Sequence, residues 1–378
     1  MTAISELLIG AFAAAAVLGA SAQSTRFCPQ GGLRETLLEN KPMRLAAYGV
    51  AVGVALMAVA LLQLVLGQTL MPSRPAYTGP VLQWGRYVLG GLLFGFGMVL
   101  ARGCPLRTLV RVGQGSLQAV VVLVVMGFAA YAMSRTSLYG VWFAPWIDGW
   151  SLDLRRYGIA HQDLATVLSF AGNGAHVALG LALGTLVLAL CWRALPLRKH
   201  WELWLGAALI GLVVVTGYAL TAGSIGQRAL ADAEFMSQPP DGLGVQSYTF
   251  AGPLSDAAYF LLHPSNQSTT FGVMAVAGVL LGALLAALLR RDFRLQGLAG
   301  WREGARQVFG AMLTGGGAVL GLGCTVGHGL SGISVLSVGS MMGLASIFSG
   351  AWLAIRIEVG PSARRSVLGA ALTPVSRL

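Results

Sequence analysis

Long runs of apolar residues, interrupted by arginine, proline and glycine, set the plan of the chain. A helix that crosses a membrane needs about 20 mostly apolar residues. Nine stretches come near that length: 4–22, 45–66, 84–101, 116–133, 165–192, 201–222, 270–289, 306–322 and 334–356. The pattern predicts an all-α integral membrane protein with about nine transmembrane helices. The third and eighth stretches are short. At ~1.5 Å per residue they reach only ~24–27 Å, against a hydrocarbon core of ~30 Å. They end on Gly103-Cys104 and Gly323-Cys324 rather than on a charged interface. Helices that stop inside the bilayer free backbone groups, which is tolerated only where those groups are buried in protein or line a cavity.

The two short stretches are copies of one pattern. Arg86 to Cys104 reads RYVLGGLLFGFGMVLARGC, and Arg306 to Cys324 reads RQVFGAMLTGGGAVLGLGC. At an offset of 220 the arginines align, as do Gly90 with Gly310, Gly95 with Gly315, Gly97 with Gly317, and the two Gly-Cys pairs, without a gap. A weaker match at an offset of 196 sets Gly10-Ala11 and Cys28 against Gly206-Ala207 and Ser224. Helices one to four then pair with six to nine, and the fifth links them. Four crossings plus one linker is odd, so the second copy is expected upside down in the membrane. Inverted repeats put the substrate site near mid-membrane, where broken helices meet. The expected division of this single transmembrane domain is 1–133 for the first repeat, 134–200 for an outer loop and linking helix, and 201–378 for the second repeat and a cytoplasmic tail.

Composition agrees with a bilayer setting. Charged residues make up 10% of the chain, against roughly 25% in soluble domains, and the mean hydropathy is +0.72. Glycine, at 52 residues, is about twice its usual ~7% share and lets helices touch closely. The net charge of +11 does not indicate nucleic acid, because the basic residues are scattered between apolar spans. Of the 25 Lys and Arg residues, six fall on the side of the N-terminus and nineteen on the other. Cytoplasmic loops carry that excess, so the N-terminus is expected outside and the C-terminus in the cytoplasm. Ala20-Ser21-Ala22 imitates a signal-peptide cleavage site, but the stretch before it has no basic start and carries Glu6, so it is expected to be retained. The long connections 134–164 and 223–269 fall outside. Trp142, Trp146 and Trp150 in the first suit an interfacial belt, or a lid over an outer vestibule. The second holds a short helical stretch, DAAYFLLH, and an Asn266-Gln-Ser triplet that fits a glycosylation acceptor.

Four cysteines show neither paired spacing nor a metal-ligand pattern, so no metal or cofactor is expected. Cys191 reads as a small buried hydrophobe. Cys104 and Cys324 each follow a glycine where a short helix breaks, and Cys28, in RFCPQGG, also stands where a helix breaks. Thiols in a pore suit soft ligands. Cu(I) is one, but glycines and arginines, rather than Met-Cys clusters, dominate here. A sulfur-rich anion is the better match, since neutral thiols are weak donors and apolar burial keeps them protonated. Gly103, Gly323 and the hydroxyl of Thr325 fall in the same breaks, where helix N-termini offer N–H groups to an anion. Arg102, with Arg107 and Arg111, adds positive potential. His328 either meets the anion or bonds a neighbouring carbonyl. Asn173 and His176 are intramembrane polar residues with the same two readings.

RFCPQGG, ARGCPLR and GLGCTVGHGLSG, the last followed by a serine-bearing helix, together resemble the YeeE/YedE sulfur-transport family over nearly the whole chain. The resemblance implies an inner-membrane importer of thiosulfate, not an enzyme, whose three pore cysteines correspond to Cys28, Cys104 and Cys324 and contact the anion in series. It also implies a small sulfur-carrier partner of the TusA type. Two other readings stay open: a transporter of selenium or another sulfur oxyanion, and a membrane thiol enzyme that hands persulfide sulfur to a carrier.

Overall fold

A computed structural model describes residues 2–170, 172–195, 197–237, 239–264 and 269–372, with side chains throughout except at 197–199 and 360–372. The Asn266 triplet lies outside the described residues. The helices are α1 Ala3–Ser24, α2 Pro29–Glu39, α3 Met43–Leu66, α4 Trp84–Leu100, α5 Pro105–Gly113, α6 Leu117–Arg135, α7 Leu138–Trp142 and α8 Ala144–Ile147. Then come α9 Leu164–Val167, α10 Asn173–Ala194, α11 Leu197–Ala222, α12 Ser224–Glu234, α13 Gly252–Leu262, α14 Phe271–Leu289, α15 Trp301–Leu320 and α16 Val338–Leu372. The only strands among the described residues are β1 Val81–Leu82 and β2 Leu152–Asp153, an antiparallel pair.

The protein is an all-α, multi-pass membrane protein. Eight helical segments among the described residues are long and apolar enough to cross a bilayer. The eighth expected span, 306–322, is α15, which is helical but carries Arg302, Glu303 and Arg306 in its first turns. The fifth expected span, 165–192, needs correction. Leu164–Val167 is a separate turn, Ser169 takes a left-handed φ of 61°, and the long helix starts only at Asn173. The expected stretch DAAYFLLH lies largely within α13.

Packing pairs the elements across the chain. α1 lies along α14 and α3 along α11, while α4 lies along α16 and α6 along α15. At the centre α4 and α15 cross closely and run in opposite directions. Gly90, early in α4, abuts Gly321 just past the end of α15, and Gly317 abuts Phe94. At the other end, a methyl group on Gly310 would stand 2.5 Å from the Ala101 nitrogen. Glycine is needed at such points because any side chain would push the two backbones apart.

The irregular backbone after α15 is held by tyrosines. Tyr48 donates to the Thr325 carbonyl at 2.8 Å, and Tyr218 donates to that of Ser331 at 2.9 Å. Ser331 donates to the Tyr248 carbonyl, and Ser337 to that of Tyr77, both at 2.6 Å. Buried carbonyls outside regular helix thus find donors, as a low-dielectric interior requires.

Candidate transport site

Three cysteines open the short segments that follow the breaks. Cys28 and Cys104 are the N-caps of α2 and α5, both in extended conformation, and each is followed by a proline in the first turn. Cys324 leads into Thr325 and the π-helical stretch Gly327–Gly332. Two residues before each cysteine the chain takes a left-handed step: Arg26 (φ 52°), Arg102 (φ 59°) and Leu322 (φ 63°). That conformation is costly for a side chain other than glycine, so the same strained turn made three times marks a constrained feature. Ser224, the fourth position in the repeat, starts α12 without such a step, since Ala222, two residues before it, ends α11 and has no positive φ.

Each sulfur is buried and faces backbone N–H groups. Cys324 is 1% exposed and accepts from Phe250 and Gly327, both at 3.3 Å, with the Thr249 hydroxyl at 3.8 Å. Cys28 accepts from Gly31 at 3.2 Å, and its thiol faces Gln30 Oε1 at 3.8 Å. Cys104 takes a bond from the Arg107 backbone and lies within electrostatic reach of both Cys28 and Cys324. The three thiols therefore form one connected neighbourhood with Cys104 in the middle.

Two hydroxyls stand ready beside them. Thr325 Oγ1, fully buried, lies next to the Cys104 thiol but closes no regular hydrogen bond to it or to another group. The Tyr77 hydroxyl, also buried, points towards Thr249 without a regular bond. A methyl group on Gly327 would touch both, at 2.5 Å from Thr249 Oγ1 and 2.6 Å from Tyr77 Oη. Leaving a buried donor unmatched costs roughly 1–3 kcal/mol, which an anion accepting from it recovers.

The remaining expected site residues are dispersed. His328 is not turned to the thiols. Its Nε2 bonds the Gly321 carbonyl at 2.8 Å and its Nδ1 meets Ser340 Oγ at 3.3 Å, between the rings of Tyr77 and Tyr87. Gly323 makes room for that ring, since a methyl group there would lie 2.6 Å from Nε2. A methyl group on Gly103 would meet the Arg107 and Thr108 side chains first, the closest atom at 3.2 Å. Arg102 is drawn away from the site: its side chain is 57% exposed and paired with Glu303 at 2.8 Å. His176 pairs with Asp163 at 2.6 Å, and Asn173 Nδ2 donates to the Gln63 carbonyl at 3.0 Å. Cys191 packs against Gly49 of α3.

Sequence reasoning passed over Tyr48, Tyr77, Thr249 and Phe250. The last two belong to the long connection 223–269, which dips into the protein. Ser247, Tyr248, Thr249 and Phe250 are all buried. A run of SYTF shows no period that separates it from an exposed loop. Its one hint is the pair of aromatic residues, Tyr248 and Phe250, each preceded by a polar residue.

Among the described residues no group of three metal-ligating side chains gathers, and all four cysteines are free. The arrangement brings thiols, hydroxyls and backbone N–H groups together. Two similar proteins share this length of chain. A thiosulfate transporter TsuA from Escherichia coli (strain K12) is 25% identical over 92% of this chain and 94% of its own. A thiosulfate transporter TsuA from Spirochaeta thermophila is 27% identical over 88% of this chain and 92% of its own. Residues 24–353 match the family described as Sulphur transport, so the chain belongs to that family of membrane proteins.

Proposed function

We propose that the protein imports thiosulfate across the inner membrane, and that Cys324, Cys104 and Cys28 contact the anion in that order. The carrying observation is the connected set of three buried thiols, each at the head of a short segment, with unmatched Tyr77 and Thr325 hydroxyls beside two of them. The relatives' names support thiosulfate as the cargo. Backbone N–H groups engage the lone pairs of each sulfur. The S–H hydrogen then serves the terminal sulfur of thiosulfate, a soft acceptor, which at Cys28 takes the place of Gln30 Oε1. Each contact is weak, which lets the ion enter and also leave.

The direction follows from what surrounds each thiol. Tyr77, Thr249 and Phe250 around Cys324 come from connections read as outer. Arg44 beside Cys28 comes from the arginine-rich side read as cytoplasmic. A methyl group on Gly31 would touch both the Cys28 sulfur (3.3 Å) and Arg44 Nη1 (3.6 Å). The N-terminus is then outside and the C-terminus in the cytoplasm. The antiparallel crossing of α4 and α15 supports two inverted repeats, 1–133 and 201–378, joined by 134–200. Gly103 and Gly323 keep the breaks narrow, and His328 acts by propping the Cys324 turn. A small sulfur-carrier of the TusA type is the recipient on the inner side. The protein moves the anion and does not transform it.

Purified protein in vesicles tests this with labelled thiosulfate. Cys104→Ala or Cys324→Ala is expected to abolish uptake while the variant still folds, and excess sulfite or selenite to compete poorly. Undiminished uptake by a well-folded Cys104→Ala variant overturns the reading.

A further inference from the structure

Arg107 and Arg111 stand one helical turn apart on α5, so their side chains share a face. The Nη1 atom of each is buried and has no hydrogen-bond partner. Arg111 lies within electrostatic reach of Arg107, Arg102 and Cys28. The carboxylates of this end are already committed. Glu35 holds Arg44 at 2.9 Å, Glu303 holds Arg102 and Arg306, and Glu358 holds Arg306 and Arg34. Among the described residues, no ion pair reaches Arg107 or Arg111. Two half-buried guanidiniums without a counter-charge repel each other, and a charge removed from water needs a partner. The same helix presents Cys104 at its N-cap, and its C-terminal Gly113 packs against Ala283 and Leu284 near the end of α14.

We propose that Arg107 and Arg111 form an anion site on the inner side of the thiols, which takes the oxygen-bearing end of a tetrahedral sulfur oxyanion. The direction assigned to it rests on the transport reading above; the site itself rests on the unmatched donors. Thiosulfate has two unlike ends. Thiols suit its soft terminal sulfur, whereas guanidinium forks suit three hard oxygens through charge-assisted bonds. The ion is passed from sulfur contacts to oxygen contacts as it leaves Cys104 and Cys28. Sulfate presents only hard oxygens, so it binds the arginine pair from inside and blocks the exit without being a substrate for the thiols.

The test uses purified full-length protein in phosphatidylcholine vesicles, whose headgroups carry no net charge to occupy the site. Initial thiosulfate uptake is compared for interiors loaded with sulfate or with gluconate at matched ionic strength. At an internal sulfate level about twice its dissociation constant, simple occupancy slows wild-type uptake about threefold. In Arg107→Gln and Arg111→Gln the ratio between the two interiors is expected to fall to about one, whatever the absolute rate of each variant. Arg111→Lys is expected to fall between, because it keeps the charge and loses the fork. In a second arm, sulfate added to detergent-purified protein raises the midpoint of thermal unfolding for the wild type and less for Arg107→Gln. Thiosulfate uptake that is indifferent to internal sulfate overturns the inner site and leaves the transport reading standing. Absence of any wild-type uptake overturns the transport reading, and the sulfate-induced shift then decides the site alone.

Discussion

Arg86, in the first turn of α4, donates from Nε to the Leu320 carbonyl at 3.1 Å and from Nη2 to the Val319 carbonyl at 3.3 Å. These are among the last carbonyls of α15, past the reach of regular helical bonds; that of Val319 also accepts from the Leu322 N–H at 3.2 Å. One guanidinium thus satisfies the end of the neighbouring half-span and places positive charge where the helix dipole is negative. The ring of Tyr139 lies 4.6 Å from it. The break before Cys324 is therefore held from α4 as well as by its own turn, in which the Leu322 N–H donates to the Val319 carbonyl at 3.2 Å and the Gly323 N–H to that of Ala318 at 2.9 Å.

Arg86→Gln is expected to destabilise the protein by about 2 kcal/mol, since two charge-assisted bonds to buried carbonyls are lost. Arg306, the residue that matches Arg86 in the repeat, instead bonds Glu303 and Glu358 at part-exposed positions. Arg306→Gln is expected to cost under about 1 kcal/mol. Unfolding of the purified variants, followed by denaturant titration, ranks the two. Equal costs contradict the capping role.

The two Gly-Cys pairs, alike in sequence, are expected to differ in tolerance. A methyl group at Gly323 meets the face of the His328 ring at 2.6–2.8 Å, and that ring is pinned by Gly321 and Ser340. Overpacking of this kind costs about 1–3 kcal/mol. At Gly103 the methyl group meets Arg107 side-chain carbons at 3.2–3.3 Å, which can yield. Gly323→Ala is expected to lose most thiosulfate uptake, and Gly103→Ala to keep a larger part. Adding His328→Ala to Gly323→Ala removes the obstacle and should restore stability partly. A double variant no better than Gly323→Ala shows that the ring is not the cause.

Tyr48→Phe isolates another support of the same loop. The ring keeps its edge contact with Phe348, at 6.0 Å between centroids, while the bond to the Thr325 carbonyl disappears. The stability change is expected near 1 kcal/mol. Uptake is expected to fall more steeply than stability, because Thr325 stands beside Cys104. Measuring both on one preparation separates positioning from folding; proportionate losses favour a purely structural role.

Much of this was readable in the residues. The apolar runs gave the membrane class, and the 220-residue offset picked out α4 and α15 with their terminal cysteines. What patterning missed has a common physical form. The left-handed steps at Arg26, Arg102 and Leu322 fall on residues that ordinarily avoid them, so no glycine signals them. Thr249 and Phe250 reach Cys324 from a connection with no periodicity. The pairing of Arg102 was not legible because nearness in sequence to Cys104 says nothing about the left-handed turn that carries its side chain towards Glu303. Tertiary partners settle such points, and they come from far along the chain: Thr249 and Phe250 lie 75 and 74 positions from Cys324, and Glu303 lies in α15, far from Arg102.

That last point sets Arg102 apart from its neighbours on α5. Arg102 is 57% exposed and paired, so its field is screened by solvent and by Glu303. Exposed pairs contribute about 0.2–1 kcal/mol, less at high salt. Arg102→Gln is therefore expected to change stability by under about 1 kcal/mol and to leave thiosulfate uptake close to wild type. Glu303→Gln is expected to cost more, because it leaves Arg102 and Arg306 facing each other without the carboxylate between them. Raising the ionic strength should shrink that difference, as screening weakens part-exposed charges over a length of about 8 Å at physiological salt. Loss of uptake in Arg102→Gln without loss of stability would return Arg102 to the conduction path and require that its pair with Glu303 opens during transport.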